Sequence, residues 1–288
     1  MKAPPGRFRQ IATLSEVRAE AWDALFGTDY PFTRHAFLSA LETSGSVGPG
    51  TGWHPCHLLL EAPDGQLLAA CPLYLKDHSY GEFVFDFAWA RALEATGRPY
   101  YPRLVCAIPF TPSTGPRWAA RDAAAEAALL QQLAALTDDP ACSSLHALFL
   151  PAEAATALAA RGALLREDAQ YHWFNRDYPD FDAFLNALSA DKRKKLKRER
   201  RRVTDAGIGY TRSPAAALTP EEWDHVYALY ASTYAMRGQA PYLTRAFFTD
   251  YARCPDNRLW VLRGHRAGQV VMMALFLQSG DCLYGRHW

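Results

Sequence analysis

The chain has 288 residues, of which 49% are hydrophobic and 13% aromatic, and its formal net charge is +1 at pH 7. This composition excludes a disordered nucleic-acid tail, and the length is sufficient for two units of roughly 100–200 residues each. The longest apolar run, at 270–277, is far shorter than the roughly 18–20 residues of a membrane span, and the amino terminus lacks the apolar region of a secretory signal, so we expect a cytoplasmic protein.

Strand and helix patterns alternate as far as residue 177. Two apolar runs flank Pro63-Asp64-Gly65, which predicts a β-hairpin because an Asp-Gly pair accepts the positive φ of a tight turn. The other predicted elements are, in chain order, a strand at 8–14, helices at 15–26 and 34–45, strands at 82–86 and 100–112, a helix at 119–136, a strand at 144–151, a helix at 153–162 and a strand at 171–178.

A similar order of elements restarts after residue 177. The predicted elements are a basic helix at 182–206, a strand at 208–213, helices at 220–238 and 245–253, a hairpin about 264–268 and a strand at 282–288. We therefore predict an α+β fold with two domains, 1–177 and 178–288. Because this second series of elements stops half-way through the order seen before residue 177, we expect the second domain to be incomplete. Trp288 would then lie in a strand whose outer edge is unpaired.

GNAT acyltransferases also begin with a strand, two helices and a meander of strands. Two such units in one chain resemble the FemABX peptidoglycan aminoacyltransferases. The stretches 78–90, 100–117 and 234–248 resemble a bacterial FemAB-like family of peptidoglycan biosynthesis/recognition proteins and predicted N-acyltransferases. The basic helix is similar to the Arg/Lys-rich helix of FemABX proteins. The resemblance implies tandem GNAT-like units, with a central mixed sheet flanked by helices, and transfer of an acyl group to an amine.

Three polar residues between 78 and 86 are candidates for acid–base catalysis. Glu82 lies in a polar turn and is either the general base or an ordinary surface residue. Asp86 is either the N-cap of a following helix or a second functional carboxylate, and four residues of strand would separate its Cα atom from that of Glu82 by about 13 Å. His78 is either a proton relay at neutral pH or an ordinary loop histidine.

The loop at 109–117 lies between a predicted strand and a helix, where GNAT domains bind the pyrophosphate of acyl-CoA through backbone N–H groups. Its three prolines lack that N–H, and it has one glycine, so it is poorly suited to hold phosphate. We interpret it as a shape-determining or acceptor-binding loop whose hydroxyl donors are Thr111, Ser113 and Thr114.

Further substrate-binding candidates lie in the stretches that carry the family resemblance, and most of them depend on that resemblance. These candidates are Tyr80, Tyr101, Arg103, Arg237 and Tyr242. Three tyrosines at 227, 230 and 234 follow one face of a helix, and this spacing predicts core residues.

The segment Lys192–Arg202 concentrates positive charge. It holds nine bases and one acid, so it carries +8 and leaves −7 for the other 277 residues. Like charges one turn apart destabilise a helix by about 0.2–0.5 kcal/mol per pair, so these bases need a counter-charge, either from acids elsewhere on the protein or from a polyanion. The polyanion-binding candidates are Lys192, Arg193, Lys194, Lys195, Lys197, Arg198, Arg200, Arg201 and Arg202.

No metal site is predicted, because the six cysteines are scattered without a C-x-x-C pair. No permanently bound cofactor is expected. The leading hypothesis is transfer of an acyl or aminoacyl group from a polyanionic co-substrate, acyl-CoA or aminoacyl-tRNA, to an amine acceptor such as a cell-wall precursor. The rival hypothesis is a non-catalytic binding protein of acyltransferase fold that holds nucleic acid or an anionic envelope precursor through the basic helix.

Overall fold

Strands and helices alternate along the computed structural model, which describes residues 6–255 and 257–288. The strands of this part of the chain are β1 (Arg7–Ile11), β2 (Trp53–Pro55), β3 (His57–Glu61), β4 (Leu67–Cys71), β5 (Tyr74–Lys76), β6 (Arg103–Cys106), β7 (Ala119–Ala120), β8 (Leu145–Ala147), β9 (Gly209–Pro214), β10 (Leu259–Arg266), β11 (Gln269–Ser279) and β12 (Cys282–His287). The α-helices are α1 (Ala19–Phe26), α2 (His35–Thr43), α3 (Phe87–Glu94), α4 (Ala123–Ala135), α5 (Ala152–Ala159), α6 (Phe181–Asn186), α7 (Ala190–Asp205), α8 (Pro220–Ala235) and α9 (Arg245–Arg253). The predicted α+β class is confirmed.

Two four-stranded sheets in the first half of the chain continue one another. Their strand orders are β1-β3-β4-β7 and β2-β5-β6-β8. Only Cys56 separates β2 from β3, and its backbone N–H donates to the carbonyl of Leu73, which lies between β4 and β5, at 2.9 Å. In the second of these sheets β6 and β8 pair in parallel, which brings Arg103 and His146 onto neighbouring strands.

Both predicted hairpins are confirmed. The turn between β3 and β4 contains Gly65 at φ 83°, and the turn between β10 and β11 contains Ala267 and Gly268 at φ 49° and 77°. The third sheet has the order β12-β11-β10-β9, so β12 is an end strand that pairs with β11. Local turn chemistry therefore fixes the register of both hairpins.

The largest hydrophobic core contains residues from both halves of the chain. Phe37 of α2 makes T-shaped contacts with Phe247 and Tyr251 of α9, with ring centroids 5.5 and 5.3 Å apart. The Thr244 hydroxyl donates to the carbonyl of Ser44 at 3.1 Å. Aromatic packing of this kind stabilises the contact between the halves beyond the effect of simple burial.

The helix predicted at 182–206 is wrong as a single element, because the chain forms α6 and α7 instead. Asp180 caps α6 by accepting a hydrogen bond from the backbone of Ala183. The backbone then leaves helical geometry at Ser189, the N-cap of α7, where φ is −58° and ψ is 153°. Serine is favoured at such a position. The basic segment is therefore a separate helix of 16 residues.

Two predicted strands, at 82–86 and 171–178, are also wrong. In the first, Phe83 and Phe85 have φ of 62° and 51°, which places them in the left-handed region and interrupts extended backbone. In the second, residues 171–177 are exposed and form no ladder with another described strand. The strand predicted at 100–112 is confined to β6.

Candidate active site

Arg103 on β6 is the centre of a buried cluster of polar side chains. Its guanidinium donates hydrogen bonds to the carboxylates of Glu82 and Asp86, and the distance from Nη1 to Asp86 Oδ2 is 2.6 Å. All three side chains are buried. One guanidinium between two carboxylates leaves one negative charge, which a proton or a second cation must balance.

Hydroxyl groups complete the inner part of the cluster. Tyr100 donates to Asp86 Oδ2 at 2.8 Å, and Arg103 Nη2 donates to Ser79 Oγ at 2.9 Å. The hydroxyl of Tyr101 lies 2.6 Å from that of Ser79. Because each of these groups contacts another member of the cluster, the carboxylates and the guanidinium are held in fixed positions.

Left-handed backbone in the loop before α3 brings the two carboxylates together. Gly81 has φ of 82°, and a Cβ atom there would lie 2.6 Å from the ring of Phe110, so only glycine fits. The positive φ of Phe83 continues the turn. Because Glu82 and Asp86 both reach one guanidinium, the predicted spacing of about 13 Å along a strand, which would keep the two carboxylates apart, is wrong.

Asp86 occupies the N-cap position of α3, but its side chain makes no capping hydrogen bond. The carboxylate instead accepts from Arg103 and Tyr100. The predicted capping by the Asp86 side chain is therefore wrong, although the residue directly precedes the helix. Its side chain belongs to the cluster, and a catalytic role for Asp86 stays a prediction.

Glu82 and Asp86 differ in their protonation. Burial raises the pKa of Glu82 to about 7, although the charge of Arg103 acts in the opposite direction. Burial also raises the pKa of Asp86, but hydrogen bonds from neighbouring hydroxyls and the charge of Arg103 outweigh it and leave that pKa below its ordinary value. Glu82 Oε1 is buried and has no hydrogen-bond partner among the described residues. Two carboxylates with pKa values moved apart are typical of acid–base sites.

Lys76 supplies the second cation near Glu82. Its ammonium lies 3.8 Å from the centroid of the Trp53 ring and donates to the carbonyl of Tyr80 at 3.4 Å. Burial lowers the pKa of Lys76 to about 7, and its charge lowers the pKa of Glu82. The pair is therefore balanced near neutral pH, where a proton can reside on either group.

Two of the predicted residues lie beside the loop of Glu82 rather than in the cluster. His78 is half-buried, and its Nδ1 accepts a hydrogen bond from the backbone of Tyr80 at 3.3 Å. The exposed ring of Tyr80 lies 5.3 Å from that of His78 and 5.4 Å from that of Phe87. Their position makes them candidates for contact with a substrate.

The loop at 109–117 is rigidly held by Arg117. This buried side chain donates to four backbone carbonyls, those of Leu148, Gly115, Pro116 and Ser113. Beyond the loop and β7, the N-terminus of α4 is capped by Asp122, which accepts from the backbone of Ala125. An acid at that position competes with a phosphate group, which agrees with the interpretation of this loop as shape-determining.

The hydroxyl residues of that loop have separate surroundings. Buried Thr111 donates to the carbonyl of Pro109, and exposed Thr114 donates to Gln170 at 3.3 Å. The Ser113 carbonyl accepts from Tyr30 at 2.9 Å. The structure therefore places these three candidates around the loop and not on Arg103.

Tyr242 connects the second half of the chain to this region, whereas Arg237 does not reach it. The ring of Tyr242 stacks on Phe110 at 5.1 Å and meets Phe83 at 6.2 Å. Arg237 is exposed at the end of α8. Of the three tyrosines predicted as core, Tyr230 is buried, and the other two are packed against the core.

Four residues of the cluster were not predicted from the sequence: Lys76, Ser79, Tyr100 and His146. Ser79 and Tyr100 lie within stretches that resemble the family, which was the available signal. His146 Nδ1 accepts from Arg103 at 2.9 Å, and burial lowers its pKa to about 4, so the ring is neutral at neutral pH. Lys76 is the last residue of an otherwise apolar strand, and a single base at such a position is only a weak indication of a functional residue.

The basic helix α7 has few internal counter-charges. Within the described part of the chain, two of its nine bases form ion pairs, Lys195 with Glu199 at 3.9 Å and Lys197 with Asp182 at 3.7 Å, and all four side chains are exposed. Exposed pairs contribute about 0–1 kcal/mol each. Acids among the described residues therefore pair with few of these bases, which favours the polyanion interpretation.

Two further properties belong to the described residues, 6–255 and 257–288. They contain no group of three or more His, Cys, Asp or Glu side chains placed to hold a metal ion. None of their helices is both long and apolar enough to cross a membrane.

The chain matches a known protein family over nearly all of its length. A family model for FemAB-like proteins, described as peptidoglycan biosynthesis/recognition, matches residues 13–288. No curated protein matches the chain. The match covers all of the cluster around Arg103 and the whole of α7.

Proposed function

Because the chain belongs to the FemAB-like family, we propose that it is a peptidoglycan-related transferase that moves an acyl or aminoacyl group from acyl-CoA or aminoacyl-tRNA to an amine. The observation that carries this proposal is Glu82, a buried carboxylate with a pKa of about 7 and a free oxygen, held by Arg103. A base with a pKa near the working pH is the most effective one for removing a proton in a transition state.

In the proposed reaction Glu82 accepts a proton from the ammonium group of the acceptor. The free amine attacks the carbonyl carbon of the donor, forming a C–N bond, and the C–S bond of a thioester or the C–O bond of an ester breaks. Glu82 passes its proton to the departing thiolate or to the departing ribose alkoxide of the tRNA, and the nitrogen releases its second proton to solvent as the amide forms. Tyr80 and Tyr242, at the edge of the loop, are proposed to hold the acceptor, and most of the rate comes from holding both substrates together.

The tandem GNAT-like arrangement is part of this proposal and rests on element order. Each half has strand, helix and hairpin elements in similar succession, with α1 and α2 followed by β2 to β5, and α8 and α9 followed by β10 and β11. The second half adds α7, which we propose binds a polyanion through its nine bases.

The proposal is tested by Glu82→Gln, which keeps the shape of the side chain and removes the base. We expect turnover to fall about 10²-fold or more, measured as amine-dependent release of thiol from acyl-CoA or of tRNA from aminoacyl-tRNA. The control is Glu153→Gln, an exposed glutamate on α5, which should have wild-type turnover. Wild-type turnover of the Glu82 variant, with an unchanged melting temperature, would remove Glu82 from the mechanism.

The exposed bases of α7 favour a second candidate function. A non-catalytic binding protein of acyltransferase fold would use α7 to hold nucleic acid or an anionic envelope precursor. Such a protein binds the polyanion but releases neither thiol nor tRNA in the assay above, so turnover separates the two candidates.

A further inference from the structure

An exposed set of apolar side chains lies next to the basic helix. We call this set the apolar segment, and its members are Leu164, Leu165, Tyr171, Trp173, Phe174 and Phe181. Leu164 and Tyr171 are each 98% exposed. Large exposed apolar patches mark sites of interaction with a partner or a membrane.

Helix α6 joins the apolar segment to α7. The ring of Trp173 lies 5.8 Å from that of Phe184, and the guanidinium of Arg200 lies 4.0 Å from the ring centroid of Phe181. Lys197 forms its ion pair with Asp182 of α6. The apolar segment therefore meets the bases of α7 at Phe181, and Trp173 packs against the same helix α6.

One face of α7 carries a stripe of bases. Lys194, Arg198 and Arg202 are spaced four residues apart, so they lie along one face of the helix. All three are exposed, and none forms an ion pair with a described residue. The stripe is free to contact phosphate groups.

We propose that the apolar segment and α7 together bind the surface of an anionic lipid bilayer. The inference rests on the polyanion-binding role proposed for α7, and it identifies the polyanion as anionic lipid. Lipid phosphates would neutralise the stripe, while the apolar side chains enter the boundary between headgroups and acyl chains. A nucleic acid would satisfy the bases and stack on the aromatic rings, but it offers nothing to Leu164 and Leu165.

The position of the surface also relates it to the candidate active site. The guanidinium of Arg166, next to Leu165, lies 5.3 Å from the ring centroid of Trp89. Trp89 is 57% exposed on α3, and the first residue before that helix is Asp86 of the buried cluster. Binding to a bilayer would hold the cluster close to the membrane surface, where a lipid-linked acceptor is located.

The inference is tested by co-sedimentation of the full chain with vesicles of phosphatidylcholine, alone or mixed with phosphatidylglycerol. We expect binding to the mixed vesicles only. Replacing Lys194, Arg198 and Arg202 by Gln should weaken it about 10²-fold, since each base near an anionic surface contributes about fivefold. The matched control replaces three exposed arginines outside the surface, Arg7, Arg18 and Arg253, by Gln and should bind as the wild type does.

The apolar contribution is tested separately. Replacing Leu164 and Leu165 by Ser should weaken binding to the mixed vesicles about tenfold or more, because apolar side chains no longer enter the interface. Leu283→Ser, at a leucine that is 62% exposed on β12, is the control and should have no effect.

Three outcomes decide the inference. Equal binding to both kinds of vesicle, or none to either, overturns it. If the leucine variant binds vesicles normally while single-stranded RNA binding depends on the stripe, RNA is the partner and the inference is also overturned. The two proposals fail separately. If vesicle binding depends on the stripe while Glu82→Gln has wild-type turnover, the inference of bilayer binding is supported and the proposed transferase mechanism is contradicted.

Discussion

Removal of the Arg103 charge should show how strongly the buried cluster depends on it. In Arg103→Met a side chain of similar length replaces the guanidinium, so Glu82 and Asp86 lose their shared partner while they stay buried. Breaking a buried ion pair by removing one partner costs about 3–5 kcal/mol, because a charge is left uncompensated. We expect the free energy of unfolding to fall by that amount.

A second substitution tests whether the loss arises from the carboxylates. Adding Asp86→Asn to Arg103→Met removes the carboxylate that is charged at pH 7 and should recover at least about 1 kcal/mol, which is the non-additive behaviour expected of residues in one network. Arg117→Met is the matched control, because this arginine is equally buried but donates to backbone carbonyls. Its effect should add to that of Asp86→Asn within about 0.5 kcal/mol.

The assay is equilibrium unfolding in urea at pH 7, with an unchanged slope in denaturant as evidence that the variants unfold from comparable native states. A loss below about 1 kcal/mol in Arg103→Met would refute the reasoning. Strict additivity with Asp86→Asn would also refute it, since it would mean that this carboxylate does not depend on Arg103 for compensation.

Two further predictions concern the surroundings of Glu82. Gly81→Ala should lower the melting temperature and the turnover, because the new Cβ atom would lie 2.6 Å from the ring of Phe110. The control Gly97→Ala has a similar φ of 79° but open space around it, so it should show only the smaller cost of positive φ. Equal losses in the two variants would contradict this. Lys76→Met should raise the pKa of Glu82 above about 7, since the charge of Lys76 lowers that pKa. The pH of half-maximal turnover should rise together with the pKa of Glu82. An unchanged pH profile would show that the two groups are not coupled.

The sequence predicts those elements whose cause is local. Asp64-Gly65 and Ala267-Gly268 form the two hairpin turns, since the residues that permit positive φ are in the turns themselves. The basic helix is also evident from its charges. Its start is indicated by Ser189, a residue type that caps helices, although nothing in the hydrophobic periodicity requires the preceding helix to stop there.

The candidate site depends on contacts that pattern does not reveal. Phe83 and Phe85 alternate with Glu82, Val84 and Asp86 as in a strand. Their positive φ values turn the chain instead, and aromatic residues seldom adopt such values. Arg103 meets His146 through the parallel pairing of β6 and β8, 43 residues apart in sequence. Glu82 could be chosen from the sequence as a candidate base, whereas its burial and its partners required the fold.

The aromatic contacts between α2 and α9 have a consequence for proteolysis. Residues 163–176 are exposed and lack regular secondary structure, so proteases would cut the chain there first. The packing of Phe37 on Phe247 and Tyr251 does not depend on that peptide link. A nicked chain would therefore migrate as one particle in gel filtration and release two pieces only in denaturant.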